Sequence, residues 1–222
     1  MTVASINLNE LVTALSAPRV GTYIAASVNG THEEALDLYG WNGQISAAFM
    51  LPLHICEVSV RNAAHDAIAA EHGPQWPWNQ GFLRSLPDPG VGYSPRGDVI
   101  RARVGKTSAG QIIPELKFMF WQKIFTKRHD ARLWNAHLFR LFPNHPTGVS
   151  VEKLREHIYN SLEAIRLLRN RIAHHEPIFR RNLQAEMSQI ENILQLRSLD
   201  IADWMMSLEN VSGLLGQKPV TK

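Results

Sequence analysis

Cysteine is nearly absent from this chain. Cys56 stands alone among 222 residues, which excludes an intrachain disulfide and a Cys-rich zinc site. A reducing cytoplasm is the simplest compartment for such a chain. The first residues, Met1 to Leu15, have no basic segment followed by an apolar core, so no signal peptide is expected. The longest apolar stretch, Ile45 to Val58, is interrupted by Pro52, His54 and Glu57, and no membrane partner is expected. Internal repeats and low-complexity tracts are missing. So are a GxxxxGK[ST] phosphate loop, a dinucleotide-binding glycine fingerprint and a GxSxG elbow. Strand-type alternation is almost absent as well.

Helical periodicity fills the space. Hydrophobic residues make up 45% of the chain, enough for one sizeable core. Asn7 with Glu10 and Thr31 with Glu34 are spaced as capping boxes. Ser16 and Pro18 suit a second helix start, and Gly40 a helix stop. Asn42 then suits the cap of a long helix reaching His72, with Pro52 as a kink or break. Pro114 opens a helix over 115–127, and another covers 131–141. Ser150 starts a helix whose apolar positions, Val151, Leu154, Ile158, Leu162, Ile165, Leu168 and Ile172, recur at steps of three and four. Leu183 to Leu194 and Ile201 to Leu215 trace the last two. The expected architecture is an all-α bundle in a single domain over 1–222. Residues 217–222 are expected to form a disordered tail.

Residues 84–112 break the pattern. Their prolines and glycines predict a long, flexible loop inserted into the bundle. It carries Arg96, Arg101, Arg103 and Lys106, which are candidates for contacts to RNA phosphates, or simply solvated surface charges. The formal charge of +3, which ten histidines raise below neutral pH, permits an anionic partner.

Chemistry concentrates at residues 169–176, Arg-Asn-Arg-Ile-Ala-His-His-Glu, followed by Pro177. Arginine matches the geometry of a phosphate, and histidine moves protons near neutral pH. Together they point to a phosphodiester. Asn170 and His174 are four apart and share a helical face. Arg169 and His174 are five apart, about 140° around a regular helix. Pro177 disfavours helix at Glu176, so fraying is expected near His174. Either an opened last turn or a second copy of the motif would then bring the two together. The same residues also suit a solvated helix terminus with dipole-favoured cations. On the earlier long helix Glu57, Arg61 and His65 are spaced by four, with Asn62 adjoining. They form either an exposed ion pair or a support for the motif across the bundle. His65 and His72 lack enough neighbouring ligands for a metal site, and the cluster Phe118, Phe120, Trp121 and Phe125 has the spacing of core.

The motif resembles the Arg-x4-His motif of HEPN domains, and the string Arg169 to Ile178 resembles the Abi-like, abortive-infection branch. Trp41-Asn42, Glu57-Val-Ser-Val-Arg61-Asn62, Phe118-Met-Phe-Trp121, Leu133-Trp134 and Phe142-Pro143 extend the resemblance over roughly residues 8 to 215. It implies a HEPN-like helical bundle that dimerises with motifs facing across the interface. It implies a metal-independent endoribonuclease of phage-defence or toxin–antitoxin type. Arg169 and His174 are then the catalytic pair and Asn170 the polar residue beside the arginine. His175, Arg171, Glu57, Arg61 and Asn62 are candidate supports. RNA is the expected partner, with an antitoxin as another, and no metal or cofactor is expected. A non-catalytic RNA- or nucleotide-binding module is the alternative. Some HEPN toxins are controlled through a tyrosine two residues beyond the motif histidine. Glu176 occupies that position here, which argues against that control.

Overall fold

The computed structural model describes residues 7–222. Residues 1–6, the front of the segment judged above for a signal peptide, lie outside the described residues. Among the described residues the chain is helical, with no strand beyond one isolated bridge between Ser27 and Thr221.

Two short helices, α1 (Leu8–Leu15) and α2 (Ala17–Ile24), lead into α3 (His32–His72), the axis of the molecule. Asn7 caps α1 through its side-chain oxygen, and Thr31 caps α3 by accepting from the Glu34 amide. Gly40 does not stop α3, and Asn42 does not cap it; both lie inside it. Pro52 also lies inside. Tertiary burial overrides these local breakers, because Leu38, Trp41, Ile45, Phe49, Leu53 and Cys56 are all buried along this helix. α3 has the length and apolarity of a membrane span, but it packs against α2 and most of the elements that follow.

After α3 come a 3₁₀ turn at Trp76–Trp78 and α4 (Gln80–Ser85). The expected loop at 84–112 is instead structured, with α5 (Pro95–Ala102) and α6 (Ala109–Ile112). Ser94 caps α5, and Val99 and Ile112 anchor the segment in the core. The helix expected over 115–127 is confined to α7 (Phe118–Ile124), and a 3₁₀ turn holds Pro114. Phe118, Phe120, Trp121 and Phe125 are buried, as core spacing requires. Residues 130–134 form a π turn before α8 (Asn135–Leu141). The motif helix is α9 (Val151–Ala173), capped by Ser150. α10 (Leu183–Arg197) follows, and the last expected helix is divided into α11 (Leu199–Leu208) and α12 (Val211–Leu215).

The C-terminal tail is tied down rather than loose. The Lys222 amide donates to the Ala26 carbonyl at 2.9 Å, and Lys218 Nζ donates to the Phe179 carbonyl at 2.7 Å.

Candidate functional site at the end of α9

α9 buries Leu154, Ile158, Leu162, Ile165, Leu168 and Ile172 as one stripe. The opposite face carries Leu167, Asn170, Arg171 and His174 at helical spacing. The buried stripe holds that face outward. Arg169 and His174 are exposed, and Asn170 is half-buried.

The helix does not fray before its end. The His174 amide donates to the Asn170 carbonyl at 2.9 Å, an ordinary helical bond. His175 then turns into the left-handed region at φ 54°. Its amide donates to Ile172 at 3.0 Å, and the Glu176 amide donates to Arg171 at 2.8 Å. These two bonds form a Schellman closure, which satisfies the helix's terminal carbonyls before Pro177 ends the hydrogen-bonding run. With the last turn intact, Arg169 and His174 stay about 140° apart around one helix. A single chain does not unite them through a loosened turn.

Two residues remote in sequence lock this terminus. Asn42 is buried on α3, and its Oδ1 accepts from the amides of Ile178 at 2.8 Å and Phe179 at 3.2 Å. Arg19 on α2 donates through both terminal nitrogens to the His175 carbonyl, at 3.1 and 3.3 Å. Neither role is readable locally. Asn42 belongs to a segment noted for its resemblance, while Arg19 carried no signal at all.

The candidate side chains now separate. Arg171 pairs with Glu176 at 3.3 Å and reaches the Pro177 carbonyl at 3.5 Å. His175 serves as the left-handed turn and borders a cavity of about 550 Å³. Arg19, Tyr23, Tyr39, Asn42, Ser46 and Met50 line the rest of its mouth and walls. Burial, with Tyr39 beside it, raises the Tyr23 hydroxyl to about 12, so that group stays protonated. Arg169 and His174, by contrast, make no side-chain hydrogen bond or ion pair among the described residues.

Glu57, Arg61 and Asn62 lie farther along α3. Met50 shares the cavity with Ile172 and Ala173, and Arg61 is about 16 Å beyond Met50 at the helical rise of 1.5 Å per residue. No ion pair joins Glu57 to Arg61, and Arg61 Nε is buried without a hydrogen-bond partner. His65, one turn on, accepts from Trp76 Nε1 at 2.9 Å. Glu57, Arg61 and His65 are thus half-buried against the bundle at a distance from the motif, and Asn62 is exposed.

The candidate RNA contacts Arg96, Arg101, Arg103 and Lys106 are engaged internally. Arg96 donates to the carbonyls of Leu83, Arg84 and Leu86, and pairs with Asp88. Arg101 pairs with Asp98 at 2.8 Å, Arg103 reaches the Pro77 carbonyl, and Lys106 pairs with Glu115. Among the described residues, no group of three or more His, Cys, Asp or Glu is arranged to hold a metal ion. Comparisons with family models, curated proteins and solved structures return no match.

Proposed function

We propose that the chain is an endoribonuclease of phage-defence or toxin–antitoxin type, with the HEPN-like, Abi-like organisation that its motif resembles. The observation that carries this reading is the state of Arg169 and His174. Both are exposed at a rigid helix end and have no internal partner, while the neighbouring Arg171 is paired. Rigid, unengaged groups of these types suit a phosphate and its proton transfers.

The working unit in this reading is a homodimer. A second copy supplies the partner that the 140° divergence denies within one chain. Leu167 is 45% exposed on the same face as His174, and Met50 is 54% exposed beside Ala173. These apolar side chains suit a twofold contact around the motif.

The mechanism follows from the groups. RNA carries its own nucleophile, the 2′-hydroxyl. Neutral His174 takes the hydroxyl proton as the oxygen attacks phosphorus, a contribution of roughly 10²–10⁴-fold. Arg169, from the facing copy, bonds the phosphate oxygens as charge grows there. The P–O5′ bond breaks, and the leaving oxygen takes a proton from a second histidine or water. The products are a 2′,3′-cyclic phosphate and a 5′-hydroxyl. No metal is required by this chemistry.

Cleavage of mixed RNA in EDTA, with analysis of the ends, tests the reading. Cyclic phosphate ends, no cleavage of DNA and loss of activity in His174→Ala are expected. A 3′-hydroxyl end would rule out 2′-hydroxyl attack. A binding module without catalysis is the second reading, favoured by the separation of Arg169 from His174 in one chain. Retained RNA affinity without strand scission would select it.

A further inference from the structure

A second polar cavity, of about 640 Å³, opens at the far end of α3. Its lining is His72, Gly81, Arg84, Ser85, Arg128 and Arg132. Met50 and His72 are about 33 Å apart along α3 at the helical rise, so this cavity is remote from the Arg169/His174 motif.

Three arginines from three elements converge there. Arg84 comes from α4, Arg128 from the 3₁₀ turn at Lys127–His129, and Arg132 from the π turn that follows. None of the three guanidiniums donates a hydrogen bond or pairs with a carboxylate among the described residues, and the lining contains no acidic side chain. Nearby carboxylates are engaged elsewhere. Glu71 is bonded by His137 at 2.7 Å, and Asp130 by Arg155 at 3.0 Å. All three side chains are exposed, so water and salt screen their mutual repulsion, and a polyanion that bridges them would relieve what remains.

The frame around them is rigid. Arg155 is 7% exposed, and its ion pair fixes the turn between Arg128 and Arg132. His129, between them, is buried, and burial with the flanking arginines lowers its pKa to about 4. Arg96 holds the backbone carbonyl of Arg84 and its neighbours. A candidate phosphate contact in the sequence therefore serves as the brace for the arginine that faces the cavity.

We propose that this cavity is an oligoanion site for linked phosphates, with Arg84, Arg128 and Arg132 as the gripping groups. Guanidiniums match phosphate oxygens in paired geometry. Three of them around a cavity this size suit more than one phosphate. The phosphates belong either to a nucleic-acid backbone or to a free nucleotide. The site does not depend on the catalytic reading of the motif.

Calorimetric titration of the full chain with inorganic tripolyphosphate tests the proposal. The variant Arg84→Gln/Arg128→Gln/Arg132→Gln, with an unchanged circular-dichroism spectrum and melting temperature, should bind at least about tenfold more weakly. A control neutralising Arg180, Lys218 and Lys222, which line a separate cavity beside Ala26 ahead of the start of α3, should change affinity less than about threefold, as long-range charge is screened. Equal weakening in both variants, or no tripolyphosphate binding to the unaltered protein, overturns the site. Competition identifies the source. Displacement by a short 2′-O-methyl oligoribonucleotide assigns the phosphates to a strand. Displacement by ATP alone assigns them to a soluble nucleotide.

Discussion

His174 and His175 are adjacent, identical in type and both exposed, yet the fold gives them different tasks. His174 ends a regular helix with its ring unengaged. His175 takes a left-handed backbone that glycine adopts most easily. Replacing His175 by Gly should therefore cost less than about 0.5 kcal/mol or stabilise slightly, while His175→Val should cost about 1–2 kcal/mol. Urea unfolding of both variants checks this. RNA cleavage by His175→Gly should also persist if His174 alone is the proton acceptor. Asn42 offers a second prediction at this scale. It is buried and satisfies two buried amides, so Asn42→Ala should lose about 1–3 kcal/mol of stability. A midpoint unchanged in urea would show that those amides find other partners.

At the scale of elements, local signals were legible where local physics decided the outcome. Asn7, Thr31 and Ser150 cap their helices through side-chain oxygens, although Glu34 bonds Asn29 rather than closing a box on Thr31, and α9 follows its apolar period to the end. Long-range burial decided the rest. Gly40, Asn42 and Pro52 read as boundaries, but the core on both sides holds α3 continuous. The Pro/Gly-rich stretch read as a flexible loop because its anchors, Arg96 on three carbonyls and Val99 in the core, are contacts distant in sequence. The residues of the motif were visible in sequence, whereas the Arg19 and Asn42 clamps that fix its terminus were not. The turn at 127–134 carries a pH prediction. His129 is buried and its pKa falls from 6.5 to about 4, so the fold holds the neutral ring. Its contribution is full above about pH 6.5 and is lost as pH falls towards 4, because only the unfolded chain takes up the proton in that window. The half-buried His65 and His72 shift in the same direction. Stability should decline across this range by on the order of 3 kcal/mol from His129. His129→Gln should flatten the decline, and an unchanged pH profile would show that this histidine is not responsible.

At the scale of the whole molecule, one copy keeps the two motif residues on different sides of α9. The intact last turn of α9 separates Arg169 from His174, and exposed Leu167 and Met50 flank the face that carries His174. Leu167→Asp should weaken self-association and lower cleavage together, which sedimentation and an RNA assay at matched concentration would show. The basic cavity lies at the opposite end of α3, so a long strand or a separate nucleotide would engage it away from the Arg169/His174 motif. The most direct test of the composite site is complementation between two inactive variants. Arg169→Ala and His174→Ala, each inactive alone, are co-expressed with different tags, and cleavage by the mixed population is measured. If arginine and histidine come from facing copies, half of the dimers hold one intact site of two, and activity returns to about a quarter of the unaltered protein's. A mixture as inactive as its parents, beside an active unaltered protein, would contradict a site shared between copies.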